Sequence, residues 1–123
     1  MPKVVEELIE VAEDTPVTSS EIPPDTDRKS ISRIEWEVLI ATPYRHTERE
    51  FFKVVHFDIR GRHDLKIDSY SIKRMLLVKQ YGWGIHRSLN GTLALVPMES
   101  ERYKELQRTV NTTKAYRNNK ASK

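Results

Sequence analysis

KQYGWGIHRSLNGTLALVPMES, residues Lys79–Ser100, is the stretch on which the fold turns. It reads as two short strands, Trp83–Ser88 and Thr92–Pro97, folded back on each other and flanked by helices. Asn90-Gly91 is the expected turn, because both residues tolerate positive φ and that twist matches paired strands. A helix is expected from Asp68 or Ser69 to about Gln80, with Ile72, Met75 and Leu76 along one side and Gly82 as its stop. After the hairpin, Tyr103, Leu106 and Val110 form the apolar stripe of a last helix, about 101–110. Glu99 and Glu101 suit its positive N-terminal end.

Further upstream the pattern is less uniform. Phe51–Arg60, FFKVVHFDIR, is rich in aromatic and β-branched residues and reads as a strand. Residues 31–41 fit two readings. Ile31, Ile34, Val38 and Leu39 make a helical stripe that Ser30 or Ser32 could cap, while Ile34, Trp36, Val38 and Ile40 alternate as in a strand. Thr15–Lys29 is a loop, with Pro23-Pro24 favouring an extended path, and a strand is expected over Leu8–Ala12.

The chain has 123 residues, a net charge of +3 and no cysteine. That length suits one domain with a core large enough to need no staple. The lack of cysteine excludes disulfides, thiolate zinc sites and iron–sulfur clusters, and fits a reducing cytoplasm. No secretory signal and no membrane span are expected, since no apolar run approaches the roughly 18 residues a span requires. Charge is uneven. Residues 1–27 carry eight acids against one base, and residues 102–123 carry seven bases against one acid. The polar run 111–123 is expected to be a basic, disordered tail attached to a single domain over 1–110.

Several blocks together resemble a family of short bacterial proteins described only as a domain of unknown function. These are Tyr81-Gly82-Trp83-Gly84-Ile85-His86, Asn90-Gly91 and Glu99-Ser100-x-x-Tyr103. Ile9–Asp14 with Pro16-Val17, Pro43-Tyr44 with Thr47, and Lys114-Ala115-Tyr116-Arg117 also fit. The chain departs from the family pattern at Met75-Leu76-Leu77, where small polar residues and a proline are usual. The resemblance implies one compact domain and carries no activity.

Among candidate chemistries, His86 ranks first. It lies beside an aromatic-glycine run, and the hairpin is expected to bring Glu99 and Ser100 near it as base, orienter and nucleophile. The bland alternative is a surface or hydrogen-bonded histidine. His46, His56, His63 and His86 show no ligand spacing, and no metal or cofactor is expected. Gly82-x-Gly84 is not a phosphate-binding pattern, because it precedes a strand rather than a helix N-terminus. Arg60, Arg62, Lys66, Lys73, Arg74, Lys79 and Arg87, with the tail, could weakly attract nucleic acid or another polyanion, although the acidic first quarter opposes this.

The sequence therefore points to an α+β domain: a small antiparallel sheet containing Phe51–Arg60 and the hairpin, with two or three helices mainly on one face. Functionally it points to a small cytoplasmic, non-enzymatic binding or interaction module, with Tyr81, Trp83, His86 and Arg87 as ligand contacts. The alternatives are a small enzyme using His86 with Glu99, or a nucleic-acid binder.

Overall fold

The computed structural model describes residues 6–118. Its strands are β1 (Glu7–Glu10), β2 (Trp83–Arg87), β3 (Leu93–Pro97) and β4 (Asn111–Lys114). Its helices are α1 (Ile31–Ala41), α2 (Glu48–Phe52), α3 (Leu76–Lys79) and α4 (Glu101–Thr109). A π-helical segment, Lys53–Ile59, continues α2, and two 3-10 turns occupy Ile67–Ser69 and Ile72–Arg74. Among the described residues, no helix is long and apolar enough to cross a membrane.

The architecture is α+β. The sheet order is β3-β2-β1-β4, with the β2–β3 hairpin at one side. β1 pairs antiparallel with β2 and parallel with β4, so the sheet is mixed rather than antiparallel. Adjacent residues of a strand face opposite ways. Leu8 packs with Val96, Tyr103 and Leu106 under α4, while Ile9 joins Ile34, Leu39, Phe51, Val55 and Ile85 on the other side. Both faces of β1 are thus covered, which explains why its sequence does not alternate cleanly. Most of the helical mass, α1 to α3 and the π-segment, belongs to the Ile9 side.

Gly84 shows why the Trp83 region is glycine-rich. A Cβ there would lie 2.5 Å from Cε2 of Tyr103, so the tyrosine ring lies directly on the strand. The Tyr103 phenol then accepts a hydrogen bond from Val11 N–H at 3.0 Å. Burial pushes that phenol up to about 12. Trp83 donates from its indole N–H to the Glu21 carbonyl at 2.8 Å, fastening the proline-rich loop to the hairpin.

Several expectations are corrected. Phe51–Arg60 is helical. Thr47 and Glu50 form a reciprocal capping box that starts a helix, and Phe51, Phe52, Val55 and His56 are buried at helical spacing. Here a cap and a buried stripe outweigh β propensity. Of the two readings left open for residues 31–41, the helix is the one adopted, with Ser30 accepting from Arg33 N–H. The expected helix up to Gln80 is broken. Ser71 and Glu48 take the N–H groups of Lys73 and Ile72, Met75 is extended at ψ 141, and Leu76 is 41% exposed rather than core. The hairpin turn centres on Leu89-Asn90: Gly91 N–H bonds the Ser88 carbonyl, and Gly91 has φ +85. Asn90 does not share that positive φ.

The expected disorder of 111–123 is corrected as far as residue 118. β4 lies beside β1, Ala115 N–H bonds the Glu10 carbonyl, and Asn118 reaches Asp14 and the Lys79 carbonyl. A polar strand can do this because the gain lies in backbone pairing and one buried residue, Ala115. The last five residues of the expected tail lie outside the described residues.

Two outcomes follow from this packing. Gly84→Ala forces a methyl into the Tyr103 ring and should cost about 1–3 kcal/mol, read as a lowered urea midpoint. Truncation after Val110 bares the edge of β1 and should lower the thermal midpoint. An unchanged midpoint would contradict the place given to β4.

Candidate functional site

One cavity of about 530 Å³ opens between α1, the α2/π junction and residues 69–76. Helical spacing places Ile31, Ser32 and Glu35 of α1 on its wall. Phe52 and His56 line the second wall. Ser69, Tyr70, Ser71, Arg74, Met75 and Leu76 line the third. The π-segment shapes the second wall: Arg60 N–H reaches back five residues to the Val55 carbonyl, widening the turn that carries His56. Such wide turns recur at functional sites.

Two ionisable side chains are buried here. Glu35 is only 4% exposed, and its carboxyl has no hydrogen-bond partner among the described residues. Loss of solvent pushes it up to about 8, and the attraction of Arg60 only partly offsets this. Its carboxyl therefore carries a proton near neutral pH. His56 is equally buried. Burial, then Arg60 and Arg62, hold it below the ordinary histidine range, so it is neutral. An Arg60 N–H donates to His56 Nδ1 at 2.6 Å. A guanidinium has only donors, so Nδ1 accepts and the ring proton sits on Nε2.

The imidazole is held between rings, 5.9 Å from Phe52 and nearly parallel to it, and 4.5 Å from Tyr70. Arg74 lies 5.4 Å from the Tyr116 ring centroid. Arg74 forms no ion pair among the described residues, whereas Arg60 attracts both Glu35 and Asp64, and Asp64 also holds Arg62. The cavity thus combines an apolar floor with hydrogen-bond donors and the guanidinium group of Arg74.

The residues singled out from sequence lie elsewhere. His86 is 3% exposed, with Nδ1 2.7 Å from the Tyr44 hydroxyl and Nε2 2.7 Å from Glu6. The Glu6 carboxylate accepts from Nε2–H, which leaves Nδ1 to accept from Tyr44. His86 therefore has a carboxylate and a hydroxyl beside it, but not the two expected. Glu99 instead accepts from Ser20 N–H and Oγ, both at 2.8 Å, and these bonds hold it below the usual carboxylate range. Ser100 caps α4, accepting from Tyr103 N–H and donating to the Pro97 carbonyl.

The expected ligand contacts are likewise engaged internally. Trp83 is bound to the loop, Tyr81 packs against the main core, and Arg87 bridges Glu7 and Glu48 at 2.8 and 2.6 Å. Among the described residues, no group of three or more His, Asp or Glu side chains is assembled that could hold a metal.

Glu35 and His56 escaped the sequence reading for definable reasons. Glu35 falls on the apolar stripe of α1, four residues after Ile31 and four before Leu39. A carboxylate on a buried stripe is the signal that was available. His56 joins it only when 51–60 is read as helix.

Glu35 makes stability depend on pH. The unfolded chain loses the proton near 4.5, and the folded chain keeps it to about 8. The folded state therefore binds more protons in that interval, and the Glu35 contribution falls as pH rises through it. Glu35→Gln has no such loss. Its stability relative to the parent should improve between about pH 4.5 and 8 and stay constant above, in urea titrations at several pH values.

A family model described as "Family of unknown function (DUF6157)" matches residues 3–121. No curated protein and no solved structure matches the chain.

Proposed function

We propose, for a chain that belongs to the DUF6157 family, a non-enzymatic role: a small-ligand binding module whose site is the Glu35–His56 cavity. The observation that carries this is the buried, unpartnered Glu35 carboxyl on the wall of a cavity of about 530 Å³. An isolated buried carboxyl costs folding free energy. A ligand that bonds to it recovers that cost. Apolar walls with a few convergent polar groups are the usual make-up of such sites, and the volume suits a small molecule.

Binding is favoured over catalysis by the protonation states. Glu35 holds its proton near neutral pH, and His56 presents Nε2–H with Nδ1 already engaged by Arg60. Neither is poised as a base. Two of the cavity hydroxyls are used locally, since Ser69 Oγ donates to the Lys66 carbonyl and Ser71 Oγ accepts from Lys73 N–H. One observation favours an enzymatic reading: a carboxyl protonated near pH 7 is what a general acid requires. That role would belong to Glu35 rather than to His86.

A fragment screen by NMR tests the proposal. Binding fragments should shift the signals of Glu35, His56 and Tyr70, and Ser69→Trp at the exposed rim should abolish those shifts while the protein stays folded. Fragments that bind only elsewhere, or that ignore Ser69→Trp, would refute this site.

A further inference from the structure

We infer that the ligand of this cavity is a small organic carboxylate on a flat, apolar body. This rests on the cavity being a binding site and adds the chemical class of its occupant.

Every element packed around the cavity contributes to the charge balance. From α1 comes Glu35 and from the π-segment comes His56, with Arg60 bonded behind it. From the 69–76 segment come Tyr70 and Arg74. Arg62 lies behind His56, but Asp64 already holds it. With Glu35 protonated and His56 neutral, the formal charge on the lining is the Arg74 guanidinium, while Arg60 sits behind His56 and is shared with Asp64. The cavity is therefore positive, and an anion entering it gains attraction that an amine would forfeit.

The hydrogen-bonding pattern agrees. Protonated Glu35 offers O–H, His56 offers Nε2–H, and Arg74 offers guanidinium N–H groups. A carboxylate only accepts, so it complements this set, and bonds to a charged acceptor are the stronger kind. Phe52, Met75, Leu76 and Ile31 supply the apolar walls for the rest of the molecule. Volume limits that body to about one or two rings.

Benzoate, benzyl alcohol and benzylammonium share a ring and differ in head group, so they separate the class from the site. At about pH 6.5, NMR titration of the full chain should show benzoate binding at least about tenfold more tightly than the alcohol, with benzylammonium weakest. At about pH 9, ionised Glu35 repels the anion, and benzoate affinity should fall about tenfold. Glu35→Gln removes the titrating group, so the ratio of its benzoate affinities at the two pH values should fall to about one, whatever the absolute affinity. Arg74→Met should reduce the preference for benzoate over the alcohol.

The failures are distinguishable. Equal binding of all three probes, or tightest binding of benzylammonium, overturns the carboxylate class and leaves the binding site standing. Binding of none of them at the cavity overturns both.

Discussion

The fold depends on one four-residue strand. β1 receives hydrogen bonds from β2 on one side and β4 on the other, and Leu8 and Ile9 are both fully buried on opposite faces. Among the described strands, no other is interior to the sheet and joins the hairpin to β4. Its first residue also ties sheet to helices. Glu7 accepts from Thr113 and Arg87, Arg87 reaches Glu48, and Glu48 accepts from Ile72 N–H. The line of bonds runs from β4 through the sheet to the segment that forms the third wall of the cavity. Half-buried bonds of this kind contribute modestly one by one, but they fix orientation between layers that apolar packing alone leaves free to slide.

What could be read from the sequence was what is decided locally. The hairpin, the loop at 15–29 and the last helix carry their own signals in turn residues, prolines and an i, i+3 stripe. The membership suggested by the Tyr81–His86 block also holds, at the level of a family whose function is unknown. The failures came where distant residues decide. β4 exists because β1 is there to pair with, and nothing in Asn-Thr-Thr-Lys announces a strand. His86 was expected beside Glu99 and Ser100, yet its partners are Glu6, 80 positions away, and Tyr44, 42 positions away. Phe51–Arg60 is the instructive case. Its composition favours a strand, and the capping box at Thr47 and Glu50 just before it was the local signal that went the other way.

The cavity is built where the backbone is least regular. Its walls include a π-turn and both short 3-10 segments lie against it or next to it. Neither kind of turn has ideal hydrogen-bond geometry. The sheet and α4, by contrast, are regular. A rigid sheet with an irregular wall is an arrangement in which the wall can be shaped around an occupant without disturbing the rest.

The parallel pairing of β1 with β4 also bears on how the molecule is made. Glu7 and Thr113, bonded across the two strands, are 106 positions apart. Closing so long a loop is entropically costly and comes late among the steps of folding. During synthesis β1 can pair with β2 first, and its other edge waits, partly solvated, until Asn111–Lys114 has been made. The acidic residues around β1 give that segment a useful property: their like charges keep nascent chains apart while one edge of an apolar strand is unpaired.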